Sequence, residues 1–495
     1  MSRLLPLLPV ALCACTAATD APAAPTPAPD QPAAAAAENP AAAAAAADNP
    51  AAAAAAEQPA AAPKPLQIAA PEPAPGSVSV RVIPQFDRLG PDGARELNLL
   101  VRLEGIGEVT GPRPPLDLAL VIDRSGSMAG DKLRDVKAAA LKLLDDLRPE
   151  DTVTLISYSD DVKRHTTGLP VDAKGREVLR NALLGLESEG STALGPAMMQ
   201  ALDDLEAGRR DDRRLTHAML LSDGLANVGE QRPEILGARA AAAFTRGVSV
   251  TTLGVGLDYN EDLMTRLADQ GGGRYHFIKD GDAVAGILAD EMKGLVATVA
   301  RGIVLELAPA PGAGVAKVFG YATDRQDTRA SARIGSLGAG QTREVVVRLA
   351  LPALTPPRAA LGALTVRFVD ISADGAAREV TVPIAVEVTP DAAAVAASEH
   401  HDVTVRVAEV EAAEKLEIAA RAADSGDFAG ARGSLQVAID DLKQKRSRKP
   451  SPKLDKQIME LEEARDEVQQ AQGSAEGRKA YTKKFKAKAY DNRKK

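Results

Sequence analysis

The sequence contains no tryptophan, and aromatic residues make up only 3% of it. Recognition of bases or sugars by aromatic stacking is therefore not expected. Its only two cysteines, Cys13 and Cys15, lie within the first 15 residues, so no disulfide framework can hold the rest of the chain. Neither sign of charge dominates: a net charge of −8 over 495 residues is mild and does not mark the whole molecule as a nucleic-acid binder. Beyond the N-terminus no run of about 18 apolar residues is free of charge, so no membrane-spanning helix is expected there.

What is present begins with "MSRLLPLLPVALCACTAATD". Arg3, the apolar Leu4 to Leu12 and the small residues that follow have the layout of a secretory signal, too short to span a bilayer in the mature protein. Leu12-Cys13-Ala14-Cys15 resembles the lipobox of bacterial lipoproteins, which makes Cys15 the expected lipid-bearing residue. From Thr16 to Gly76 the chain is rich in alanine and proline, with Pro40, Pro50 and Pro59 interrupting alanine runs. Alanine favours helix and each proline breaks it. Such a segment has no core to bury and reads as a spacer.

Chain organisation follows from changes in apolar period. "SVSVRVIPQF" and "ARELNLLVRL" alternate as half-buried strands do. Between Leu116 and Val296 the strand-like runs "LDLALVID", "DTVTLISYS", "LTHAMLLSD" and "VSVTTLGVG" alternate with helical segments. The first of those helices places Leu133, Val136, Ala140, Leu144 and Leu147 on one face. Strands apolar enough to be covered on both sides predict a mostly parallel sheet flanked by helices. Past Arg301, "GIVLELAPA", "TREVVVRLALP", "GALTVRFVDIS" and "REVTVPIAVEV" read as a small antiparallel sandwich, which the strands of residues 77–103 would complete. From Ala392 the pattern is helical again, and the pair joined at "DSGDF" resembles a single unit of the tetratricopeptide type. The end, "GRKAYTKKFKAKAYDNRKK", has nine basic residues and one acidic residue. It is expected to be a solvated, mobile end, with contact to an anionic surface as the alternative.

The chemistry concentrates where "LDLALVI" ends. In an open α/β sheet, ligands bind beyond the carboxyl ends of the strands. "DRSGSM" puts Asp123, Ser125 and Ser127 on such a loop, "SEGSTALGPAM" brings Thr192, and "LLSDGLANVG" brings Asp223. Two carboxylates and three hydroxyls, with no histidine or cysteine, suit Mg2+, or Mn2+ or Ca2+, rather than zinc or copper. Two carboxylates neutralise a divalent ion, and neutral hydroxyls leave it electrophilic toward one further carboxylate.

These residues resemble, position by position, the metal-ion-dependent adhesion site of von Willebrand factor type A domains. The surrounding "DRSGSM" and "SDGLANVG" are similar to the bacterial branch related to inter-alpha-trypsin inhibitor heavy chains and calcium-activated chloride channel regulators. The resemblance covers about Leu116 to Val296. It implies that the serines and threonine reach a metal directly, that the aspartates act partly through water, and that a partner supplies a Glu or Asp. It implies no proteolysis: no H-E-x-x-H run occurs, and "SEHHDV" around His400 has the wrong order. Ser125 lacks the G-x-S-x-G elbow of a hydrolase nucleophile. His165, His217 and His276 read as structural residues on or beside strands, and His400-His401 as linker.

The expected architecture is thus α/β: a doubly wound, mostly parallel sheet flanked by helices, inserted next to a small antiparallel β-sandwich, with a C-terminal helical region. The boundaries are a signal peptide with lipobox (1–15), linker (16–76), sandwich strands (77–115), the α/β domain (116–298), the sandwich (299–391), a helical hairpin (392–445) and a charged, helical or disordered basic tail (446–495), with a further helix around Lys453 to Ala471. The expected function is non-enzymatic, metal-dependent binding of an acidic residue of a protein partner. The expected location is the bacterial cell envelope, with the protein exported and lipid-anchored at the outer membrane and periplasm or the cell surface. The alternative is a structural envelope protein whose metal only stabilises the fold and whose basic tail attaches to an anionic surface. Nucleic acid is not an expected partner.

Overall fold

The structure, a computed structural model, describes residues 77–92, 95–106, 113–209, 211, 213–373 and 375–494. Cys13, Cys15, the signal-like segment and the Ala/Pro stretch lie outside the described residues.

The chain opens with β1 (Val78–Pro84), β2 (Arg88–Leu89) and β3 (Glu96–Gly105). It then builds the central unit from β4 (Leu116–Asp123), α1 (Asp131–Asp146), β5 (Thr152–Tyr158), β6 (Val162–Pro170), α2 (Ala173–Leu184) and α3 (Leu194–Gly208). The unit continues with β7 (Leu215–Ser222), α4 (Pro233–Thr245), β8 (Val248–Val255), α5 (Glu261–Gln270), β9 (Gly272–Ile278) and α6 (Val284–Val296). The strand order is β6-β5-β4-β7-β8-β9. All neighbours pair in parallel except β6, an antiparallel edge strand on β5. Every residue of β4 and β7 is buried, as strands covered on both faces require. Along β4 the alternation sorts the side chains: Leu118, Leu120 and Ile122 pack with α1 and α2, and Ala119 and Val121 with α3 and α4. This is the doubly wound arrangement expected from the sequence.

Seven further strands follow: β10 (Thr298–Pro309), β11 (Gly314–Val318), β12 (Thr323–Gln326), β13 (Arg329–Gly338), β14 (Thr342–Ala350), β15 (Arg358–Asp370) and β16 (Ala376–Val388). They form two sheets, β1-β3-β14-β11 and β12-β13-β10-β15-β16-β2. One apolar core, including Leu99, Leu103, Leu305, Val347, Val366 and Val382, lies between them. The chain leaves this sandwich and returns at one place. Gly105 approaches Gly338 so closely that a Cβ would meet the Gly338 carbonyl at 2.0 Å, and Gly338 pairs with Thr298, where β10 begins. Glycine is needed at this crossing because the backbones leave no room for a side chain.

The C-terminal region comprises α7 (Ala392–Ala397), α8 (His401–Asp424), α9 (Phe428–Arg448), α10 (Pro452–Gly473) and α11 (Ala475–Lys494). The residues expected on the second hairpin helix, Ala431, Leu435, Ala438, Ile439 and Leu442, all face the bundle core. His400 and His401 are not linker: His400 pairs with Asp87 at 2.9 Å, and His401 opens α8. On its other side α8 sets Val403, Val407 and Val410 against Leu100, Phe319 and Val346 of the four-stranded sheet.

The basic C-terminus departs most from expectation. It is not a solvated end but helix α11, packed between the bundle and the α/β unit. Tyr481, Phe485 and Ala489, four residues apart, bury into the bundle core. Tyr490 instead enters the core beneath α3, α4 and α5. There it meets Tyr275 edge-on at 5.6 Å, and its hydroxyl accepts a hydrogen bond from the Tyr275 amide at 3.3 Å. The lysines are absorbed by the chain's own acids. Lys483 donates to Glu261 and to the Tyr259 carbonyl, Lys486 to Glu261 and Asp262, Lys479 to Asp258, and Lys494 pairs with Asp269. Asp258, Glu261 and Asp262, at and before the start of α5, are thus acceptors for α11. No helix among the described residues is long and apolar enough to cross a membrane.

Two predictions follow from the packing. Tyr490 is 2% exposed, and Tyr490→Ala is expected to cost about 3 kcal/mol, read as a lower urea midpoint. Lys479→Ala, which removes an exposed pair, should cost under about 1 kcal/mol. On β7, both ring nitrogens of His217 are buried without a hydrogen-bond partner among the described residues. Burial lowers its pKa from 6.5 to about 4, so the folded protein holds the ring neutral while the unfolded chain protonates first. Stability is then lost as pH falls from 6.5 toward 4. Glu291 cannot cause the upper part of that loss. Burial alone would raise its pKa, but the hydrogen bond and charge of His276 outweigh it and hold it at about 2, against an ordinary 4.5. Urea unfolding at pH 7 and pH 5 should show a smaller drop for His217→Leu than for the wild type.

Candidate metal centre

The carboxyl ends of β4 and β7 lie side by side, Ile122 opposite Leu221. Strand order reverses here, since the chain passes from β4 outward to β5 and later returns across β4 to β7. Loops diverge at such a point and leave a crevice.

Asp123, the last residue of β4, shapes the first loop. Its Oδ1 accepts the Ser125 amide at 2.8 Å, closing an Asx turn, and its Oδ2 accepts the Ser222 hydroxyl at 2.7 Å. The short 3-10 turn over Gly126–Met128 then lifts Ser127 to the surface. Backbone bonds stitch this loop to its neighbours. Gly126 donates to the Gly190 carbonyl at 3.0 Å, Glu189 to that of Arg124 at 2.7 Å, and Ala193 to that of Ser159 at 2.8 Å. The buried Arg124 side chain adds ion pairs to Asp161 and Glu189. Thr192 is fixed by Asn227, whose side-chain oxygen accepts the Thr192 amide at 2.8 Å while its own amide donates to the Thr192 carbonyl at 3.1 Å.

The five oxygen-bearing residues therefore converge. The hydroxyls of Ser125 and Ser127 are 3.0 Å apart, and Ser127 donates to Asp223 Oδ1 at 2.7 Å. Gly224 locates the third hydroxyl. A Cβ at this glycine would lie 2.9 Å from Thr192 Oγ1, 3.3 Å from Ser127 Oγ and 3.8 Å from Ser125 Oγ. The absence of a side chain at Gly224 thus keeps open a space ringed by three hydroxyl oxygens. Asp123 and Asp223 stand behind it with no exposure, while Ser127 and Leu225 face solvent.

The electrostatics of the site centre on Asp123. Burial raises the Asp123 pKa, the Asp223 charge adds to the rise, and the hydrogen bonds from Ser125 and Ser222 oppose it. Burial and the nearby Asp123 charge also push the Tyr158 hydroxyl well above its ordinary value. That hydroxyl remains a donor, to the Leu221 carbonyl at 2.9 Å. The donor set fits a divalent ion: hard oxygens only, with charge enough for two positive units. Among the described residues no group of three or more His, Cys, Asp or Glu side chains is placed to hold a metal.

Sequence reading missed three supporting residues. Ser222 orients Asp123, Asn227 orients Thr192, and Lys132 places its ammonium 2.5 Å from Asp223 Oδ2. Two of them sit within the quoted "LLSDGLANVG", and Lys132 is one residue past the start of α1. Cys15 lies outside the described residues.

Comparison with known proteins agrees with the fold of this unit. Residues 117–290 match the von Willebrand factor type A domain. The uncharacterized protein sll0103 of Synechocystis sp. is 27% identical over 296 residues, covering 58% of this chain and 68% of that one. Human inter-alpha-trypsin inhibitor heavy chain H4 is 31% identical over 175 residues, covering 34% of this chain and only 19% of its own length. Among solved structures, the von Willebrand factor type A protein from Catenulispora acidiphila superposes with a TM-score of 0.64 at 18% identity, covering 80% of this chain and 89% of that one. That likeness reaches beyond the α/β unit, and at this identity it speaks for the fold. Sheet order, loop-borne oxygen donors and family match fall on the same residues: the chain carries a von Willebrand factor type A domain over residues 117–290.

Proposed function

We propose that this chain is a non-enzymatic, divalent-metal-dependent protein-binding protein of the bacterial cell envelope. Asp123, Ser125, Ser127, Thr192 and Asp223 would hold the ion, with Mg2+ favoured over Mn2+ or Ca2+. An acidic residue of the partner would complete its coordination. The observation that carries this reading is the space beside Gly224, faced by three hydroxyls from two loops and backed by two buried carboxylates. When bound, the ion supplies a positive centre for a carboxylate.

The histidines support a binding role over hydrolysis. His165 contacts Ser157, His276 contacts Glu291, His400 contacts Asp87, His217 is buried in β7 and His401 opens α8. None is placed as a base for Ser125 or Ser127. Export and lipid anchoring through Cys15 rest on the N-terminal sequence pattern, and the Ala/Pro stretch would give the domain reach from a membrane. Attachment through the basic tail has less support, because the α11 lysines are engaged by carboxylates of the same chain.

Calorimetry with Mg2+ on the full chain tests the centre. Asp123→Ala and Gly224→Ala should each weaken binding more than about tenfold, the first by removing charge and the second by crowding Thr192. Equal binding by all three proteins overturns the site. A partner captured by the wild type should be lost in EDTA and with Asp123→Ala. A partner retained in EDTA but lost with Lys484→Ala/Lys488→Ala, which leaves the α11 core intact, would favour the tail instead. For location, Cys15→Ser should move the protein out of the membrane fraction; continued fractionation with membranes contradicts the lipid anchor.

A further inference from the structure

Lys132 belongs to none of the three ligand-bearing loops, yet it reaches their centre from α1. Its ammonium donates to Asp223 Oδ2 at 2.5 Å and to the Ser127 carbonyl at 3.3 Å. The two oxygens of Asp223 are thereby divided: Oδ1 accepts the Ser127 hydroxyl and faces the donor cluster, and Oδ2 faces the ammonium. Asp223 has no exposure and the Lys132 side chain is 32% exposed, so this is an ion pair sheltered on one side. The opposite wall is built to admit it. Gly256, after β8, has φ of +78°, and a Cβ there would lie 3.2 Å from Lys132 Nζ. A side chain at that position would crowd the amine.

We propose that Lys132 sets the charge of the metal centre, weakening its hold on the ion and biasing it toward an anionic partner. The inference rests on the metal-centre reading above. Two carboxylates and one divalent ion are together neutral, and a neutral centre has little net pull on a further carboxylate. With the ammonium on Asp223 the same centre keeps one positive charge in excess. That excess repels the ion, which lowers affinity for metal, and attracts an acidic side chain. Lys132 therefore acts through Asp223 as a specificity-determining residue. Arginine, which keeps the charge, should largely preserve the behaviour; methionine, which keeps the length and loses the charge, should not.

The test is titration of chelator-stripped full chain with Mg2+ by calorimetry, comparing wild type, Lys132→Met, Lys132→Arg and, as a second neutral variant, Lys132→Gln. The neutral variants should bind Mg2+ roughly tenfold more tightly, and the arginine variant within about threefold of wild type. In EDTA the neutral variants should unfold at lower urea than wild type, because Asp223 loses its partner. Should folded neutral variants bind Mg2+ as wild type does, or more weakly, the role assigned to Lys132 is wrong while the metal centre survives. If no protein binds an ion, both readings fall together.

Discussion

Two carboxylates without solvent, Asp123 and Asp223 at neighbouring strand ends, are the constraint to which the rest of this edge answers. Buried charge survives only when it is hydrogen-bonded and countered. Asp123 obtains the Ser125 amide and the Ser222 hydroxyl, and Asp223 the Ser127 hydroxyl and the Lys132 ammonium. Each requirement fixes a loop. Ser125 can reach Asp123 only through the tight turn after β4, and Ser127 can reach Asp223 only if that turn is pressed against β7. The backbone bonds from Gly126, Glu189 and Ala193 then hold the Thr192 loop in register with the other two. Removing charge from either aspartate would therefore loosen more than one side chain.

The same logic explains how a lysine-rich helix becomes an internal element. On α11 the apolar stripe of Tyr481, Phe485 and Ala489 faces the bundle, and Tyr490 faces the α/β core. Lys483 and Lys486 flank that stripe and share Glu261 at 2.7 and 2.8 Å. Burial lowers the Lys483 pKa, with Glu261 acting against that loss, while the hydrogen bonds and charges of Glu261 and Asp262 outweigh burial for Lys486 and raise it. Glu261 itself is held at about 2: burial would raise it, and the two ammonium groups more than offset that. The ions thus make the amphipathic helix specific for one docking surface, and Tyr490, with the half-buried Ala487, supplies apolar contact to the α/β core.

Legibility in the sequence followed the strength of local pattern. Buried strands such as "LDLALVID" and helix faces such as Leu133, Val136 and Ala140 announce themselves, because burial on one or two faces imposes a period. Asp123 and Asp223 drew attention for a related reason, since each ends or directly follows an apolar strand, whereas Thr192 stands on the loop before α3. The partners Ser222, Asn227 and Lys132 were not legible, since each acts through a contact with a residue 35 to 99 positions away. The edge strand β6, VKRHTTGLP, was also missed; most of it is exposed or half-buried, so it lacks the apolar run that marks its neighbours. In the C-terminal tail nine basic residues obscured the stripe of Tyr481, Phe485 and Ala489 at helical spacing, and only the acids of a distant element reveal why so much charge can be buried.

The connections around the sheet determine which face stays available. The α/β unit joins the sandwich through the start of β4 and the end of α6, and α6 runs back from the carboxyl edge of the sheet to its amino edge. Both connections therefore lie opposite the Asp123–Asp223 edge. On the β8 side, the loop after β8 borders Lys132 through Gly256, while its Asp258 and Tyr259 are held by Lys479 and Lys483 of α11. One loop thus meets both the cation next to the candidate centre and the helix that joins the domain to the bundle. Around this edge Gly126, Ser127, Glu189, Gly190, Leu225 and Asn227 are exposed. This rim therefore presents the Ser127 hydroxyl, an apolar leucine beside it and the Glu189 carboxylate paired with Arg124, with Asp123 and Asp223 buried behind. The fold thus buries the two candidate ligand carboxylates and leaves one hydroxyl of the set at the surface.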